Sequence, residues 1–278
     1  MAHVSVKDAV GFSFSFLFRH AARIATRIAL PALSGWIIFY VAFFLYLTQL
    51  ERYLGDPNDR IASLVLGLAT AGLLATLFMH SIIVSSIVSL ALGLKEDGWK
   101  YFRIGRPAWR LYAADLRFVL IGMAFIFAMR MIEIALGWFA PTAGLVWLGD
   151  IAVGVGLYWM AVRLGFLIAP IAVARSQGEI LRRGWRLSSG HFWSMTATAV
   201  MLILPGVVVE LAGEFIMSLA GRSPQVDQHS NLATIVAMYR ENLPEVLIAI
   251  GIGYIVAITL LTLGRVSFYR QLLDQTES

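Results

Sequence analysis

From Ile61 to Leu94 the chain runs for 34 residues without an Asp, Glu, Lys or Arg. A helix crosses a hydrocarbon core about 30 Å thick with roughly 20 apolar residues, so a run this long points to a membrane before anything else is considered. Ile28 to Leu50, Leu187 to Val209 and Val246 to Gly264 are equally free of formal charge, while Leu111 to Trp138 and Leu145 to Ala174 are strongly apolar with a few internal charges. The runs are continuous and do not alternate in ten-residue segments, which excludes an up-and-down barrel. The pattern predicts an all-α, polytopic integral membrane protein: one transmembrane domain over residues 1–278, with spans at about 28–50, 61–94, 111–138, 145–174, 190–218 and 244–264.

Composition agrees. Hydrophobic residues make up 59% and charged residues 14% of the 278, against about 25% charged in soluble domains, and the mean hydropathy is +0.77. A disordered chain, a nucleic-acid module and an ordinary cytosolic enzyme are excluded. The net charge of +5 belongs to basic residues beside apolar runs, which suits a membrane surface and not nucleic acid. With no cysteine, disulfides and Cys-ligated metal sites are excluded. The first apolar run follows three arginines and lacks a small-residue cleavage site, so it reads as an anchor and not a signal peptide.

Orientation follows from the basic residues. Fifteen of the 22 Lys and Arg lie in the segment before span one, between spans two and three, between spans four and five, and in the C-terminal tail; Arg52, Arg60, Arg222 and Arg240 lie on the opposite side. The positive-inside rule then puts both termini in the cytoplasm of a bacterial inner membrane. A five- or seven-span arrangement would scatter those groups onto both sides.

Three basic segments share a layout, each before an odd-numbered span: about 5–26 with Arg19 and Arg23, and Arg27 just after it; about 97–109 with Arg103 and Arg106, and Arg110 just after it; about 176–189 with Arg182, Arg183 and Arg186. Arginines on one face and aromatics on another predict cytoplasmic interfacial amphipathic helices turned toward anionic lipid. Their repetition with a following hairpin hints at a threefold unit, although such segments also serve simply as topology determinants. In the outer loop, Leu232, Ile235, Val236 and Tyr239 follow helical spacing and predict a further interfacial helix, or a lid. Ser81, Ser85 and Ser89, every four residues, predict close helix packing.

Charges within spans are costly and face protein or water. Arg130, Glu133, Asp150, Glu210 and Glu214 fall at similar outer depth, predicting an intramembrane polar cluster that either ties spans three, four and five together or binds a cation or proton. Nearer the cytoplasm, Asp115 and Arg163 predict an inner pair. His80 reads as a neutral hydrogen-bonding residue. No Gly-rich phosphate loop, His-Glu-x-x-His or Gly-x-Ser-x-Gly occurs, so no catalytic residue, cofactor or metal is expected.

The most distinctive stretch reads Arg163-Leu-Gly-Phe-Leu-Ile-Ala-Pro170, then Arg175, Glu179 and Arg183-Gly-Trp-Arg-Leu-Ser-Ser-Gly-His-Phe-Trp193. It resembles a group of six-span bacterial inner-membrane proteins that includes the YciC-like family and the membrane domain attached to some glycerophosphoryl diester phosphodiesterases. Gly184 stands where that group often has Ser. The resemblance implies a helical membrane protein and no hydrolase activity, since the phosphodiesterase domain has no counterpart here. The expected function is a non-enzymatic membrane protein that organises, assembles or stabilises a membrane complex or engages anionic lipid, with lipids and a membrane-protein partner or a second copy as partners. A secondary transporter for a small or amphiphilic solute is the alternative; an intramembrane enzyme is the weakest.

Overall fold

A computed structural model describes residues 4–55, 60–94, 104–139, 143–174, 179–219 and 243–277. The described elements are α1 (Val6–Gly55), α2 (Arg60–Leu92), α3 (Arg106–Phe139), α4 (Ala143–Met160), a π-helical turn (Ala161–Gly165), α5 (Ile168–Val173), α6 (Ile180–Leu187), α7 (Phe192–Leu219) and α8 (Leu243–Glu277). The described residues include no strand, and six helical segments among them are long and apolar enough to cross a membrane. The chain is a polytopic helical membrane protein.

α1 forms an antiparallel hairpin with α2 and also packs on α8, while α7 lies along α8 and α3 flanks α2. The termini meet at one end of the bundle: the Ser5 amide donates to Gln271 Oε1 at 2.8 Å, and the Arg270 guanidinium donates to the Ala91 carbonyl at the end of α2. The buried core concentrates toward this terminus-bearing end. One cluster joins Ile24 and Ile28 of α1, Ile83 to Ala91 of α2, Leu111 and Ala114 of α3, and Ile258 to Val266 of α8. A second joins Val4, Phe166, Met195, Phe268, Tyr269 and Leu272. Every residue of α5 is buried, so this short helix fills the space between α2, α3 and α8.

Several boundaries differ from the sequence expectation. The first interfacial helix, expected over about 5–26, is not separate: from Val6 it is continuous with span one in the single helix α1, because no glycine or proline lies from Phe12 to Leu30 and an unbroken helix satisfies every backbone group. Pro31 lies inside it and removes only one hydrogen bond, as membrane helices tolerate. Val4, Ala9, Ser13 and Ile24 are buried, so the apolar face of this segment is covered by protein. The second basic segment likewise merges with its span as far as it is described. α3 starts at Arg106 with Pro107 at its first turn, where a missing N–H costs nothing; residues 95–103, including Arg103, lie outside the described residues. Span four is interrupted, with Pro170 unable to donate to the carbonyl of Phe166 and a π-turn preceding it. Span six does not end near Gly264. α8 continues to Glu277 because Phe268, Tyr269 and Leu272 have a partner in Val4 and Met195. The segment expected at about 176–189 as the third interfacial helix contains a discrete helix, α6, followed by Gly190 at φ +81°, a left-handed conformation that favours glycine. The helix expected around Leu232 to Tyr239 lies outside the described residues.

Two glycines bring α7 and α8 together. A Cβ on Gly253 would stand 2.7 Å from the Gly206 carbonyl oxygen, and one on Gly206 2.5 Å from both the Gly253 oxygen and the Ala257 Cβ. Backbone lies against backbone at this crossing, as small residues permit.

Candidate functional site

Five polar groups on three helices face one region of the bundle, buried at Ser81 and exposed at Tyr254. α2 supplies His80 and Ser81, α3 supplies Asp115, and α8 supplies Tyr254 and Arg265. Tyr254 and Arg265 are eleven residues apart, about three turns at 3.6 residues each, so they project from one face of α8. Ile258 and Leu261 stand between them and are buried. The Tyr254 hydroxyl and His80 Nδ1 are hydrogen-bonded, tying α8 to α2. The Ser81 hydroxyl lies 3.0 Å from the Leu77 carbonyl and 3.2 Å from Asp115 Oδ2, its one proton serving either acceptor and linking α2 to α3.

Arg265 is the cation of this group. Its guanidinium lies 5.8 Å from the centre of the Phe166 ring, and its Nε is buried without an acceptor. Asp115 is its electrostatic neighbour, yet no ion pair forms between them among the described residues. Opposite charges on α3 and α8 therefore face one interior region without direct contact, in surroundings where a charge is costly unless paired or hydrogen-bonded.

A second constellation locks the interrupted span. Arg163, in the π-turn, donates from Nη1 to the Ser188 carbonyl at 2.9 Å, while the Ser188 hydroxyl lies 2.8 Å from the Arg163 carbonyl and 2.9 Å from that of Trp185. The guanidinium stands 4.6 Å from the centre of the Trp185 ring and 6.0 Å from that of Trp159, and the two indoles meet edge to face at 5.1 Å. The widened π-turn presents its backbone to α6 and so lets one serine close the loop from both directions.

The expected Asp115–Arg163 pair does not form: Arg163 is engaged by Ser188 and Trp185, and Asp115 by Ser81. In the outer group, Arg130 Nη2 bonds Asp150 Oδ1 at 2.6 Å, joining α3 to α4 with both side chains about half exposed. Glu210 lies elsewhere, its backbone and Cβ against Gly253 of α8. Glu133 and Glu214 belong to α3 and α7, with side chains outside the described residues. Among the described residues no three His, Asp or Glu side chains are grouped as a metal site would require. Of the basic residues, Arg19, Arg23, Arg106, Arg182 and Arg186 are exposed and Arg183 is half-buried.

Tyr254 and Arg265 escaped the sequence reading because one is formally neutral and the other looked like a tail residue beyond span six. Their eleven-residue spacing, with His80 in an otherwise uncharged span, is the signal that would have found them. Compared with protein families, characterised proteins and solved structures, the chain matches none.

Proposed function

We propose that the protein is a non-enzymatic component of a bacterial inner membrane, with both termini in the cytoplasm. On this reading it engages anionic lipid at its terminus-bearing end and thereby stabilises or organises a membrane assembly. The observation that carries the reading is the surface formed by α6 and the start of α7. Trp185 and Trp193 are 40% and 78% exposed, beside the exposed guanidiniums of Arg182 and Arg186. Tryptophan settles at headgroup level and arginine at a negatively charged leaflet. Exposed Phe18 and Trp109, with Arg19, Arg23 and Arg106, extend the same combination around that end.

The test replaces Arg182, Arg183 and Arg186 together by Gln and follows thermal unfolding in nanodiscs of phosphatidylglycerol or phosphatidylcholine. Wild type is expected to be more stable in the anionic lipid, with the advantage shrinking as salt rises, and the triple variant to lose most of it. An advantage that survives in the triple variant contradicts the proposal.

A further inference from the structure

We propose that the interior polar group of α2, α3 and α8 is a binding site for the ammonium–phosphate headgroup of a phospholipid with a primary amine, such as phosphatidylethanolamine. The ammonium would face Asp115 and the phosphate Arg265. The argument begins with the two charges. Asp115 and Arg265 sit on different helices, address the same region and do not pair. Ser81 gives Asp115 one hydrogen bond, which leaves carboxylate lone pairs for further donors. Arg265 keeps a buried Nε without an acceptor. A cation alone would answer Asp115 and leave Arg265; an anion alone would do the reverse. A zwitterion answers both and leaves the interior electrically neutral.

The rest of the site fits that occupant. His80 and Tyr254 hold each other, so each already has a partner without the headgroup. Tyr254 is 43% exposed, and Ile250, one turn earlier on the same face of α8, is exposed as well. The polar group therefore opens toward the apolar surface of the bundle. A lipid with its chains in the bilayer reaches such a site without crossing water, which favours a membrane lipid over a soluble phosphoamine. A carboxylate accepts short charge-assisted hydrogen bonds from a primary ammonium and none from a trimethylated one, so choline is the natural discriminator. This site is separate from the basic surface of α6, and the two stand or fall independently.

The experiment titrates the purified full chain in mild detergent with short-chain phosphatidylethanolamine, phosphatidylcholine or soluble phosphoethanolamine, read by native mass spectrometry. Ethanolamine lipid is expected to bind about tenfold tighter than choline lipid, the worth of one charge-assisted hydrogen bond. Asp115→Asn is expected to bring the two lipids to within about twofold of each other, by removing the charge-assisted bond to the ammonium, and Arg265→Gln to weaken both lipids about tenfold while keeping the preference, because the phosphate is common to both. The Arg182, Arg183, Arg186 triple variant is expected to retain the preference. Equal binding of the two lipids by wild type overturns the site even if the variants fail to fold, as does an undiminished preference in Asp115→Asn. Phosphoethanolamine binding as tightly as the lipid overturns the membrane lipid as occupant.

Discussion

Ser188 shows how much one hydroxyl does in this chain. Fully buried, it reaches the Arg163 carbonyl while its own carbonyl holds the Arg163 guanidinium, so two segments 25 residues apart close on each other. Ser188→Ala is expected to lower stability by about 1 kcal/mol, the net worth of a buried hydrogen bond, seen as a lower thermal midpoint in detergent. Arg163→Lys keeps the charge but loses the planar stack on Trp185, and a further loss of about 1 kcal/mol is expected from the cation–π contact. A midpoint within error of wild type for both substitutions would show that the lock is decorative. The segment from Arg163 to Trp193 was legible as distinctive from its arginine, tryptophans and glycine. Its partners were not: pairing Arg163 with Asp115 assumed that charge seeks charge, whereas the π-turn aims the guanidinium at a backbone carbonyl and an indole.

Helices report a different lesson. Apolar run length depends on the chain alone, and the cores of the six spans were readable from it. Where each helix stops depends on what it meets. α1 and α8 run past their charged residues because Val4, Phe268, Tyr269 and Leu272 cover one another, a contact between chain ends that no local pattern encodes. Phe268→Ala is expected to cost about 3–5 kcal/mol, as large-to-small changes in a packed core do, measured by chemical or thermal unfolding. The α7–α8 crossing gives a sharper test of packing. Gly253→Leu places a side chain against the backbone of Gly206, and overpacking of about 1–3 kcal/mol is expected. Gly154→Ala, whose Cβ meets nothing within 4 Å, is expected to leave stability unchanged or slightly raised, since alanine is the better helix former. If the two substitutions behave alike, the close approach of α7 and α8 is wrong.

Across the whole molecule, burial and charge are both lopsided. The core gathers where the termini meet, and the exposed Arg19, Arg23, Arg106, Arg182 and Arg186 lie toward that same end with Trp109, Trp185 and Trp193. Elsewhere the helices present apolar faces such as Leu120, Met123 and Phe127, which suit acyl chains. The interior group of His80, Ser81, Asp115, Tyr254 and Arg265 was the least legible part. It requires three helices to be placed before its members come together, and of the acids that attracted notice in the sequence Asp115 belongs to it while Asp150 and Glu210 lie apart. The account rests on both chain ends lying together in the cytoplasm, with their basic collar against the inner leaflet. The chain has no native cysteine, so single cysteines at Lys7 and Asp274, both exposed, and at Asn58 between α1 and α2 can be probed with an impermeant maleimide on intact cells. The account predicts labelling at position 58 and, at 7 and 274, labelling only after permeabilisation. Labelling of either terminal position from outside would contradict it.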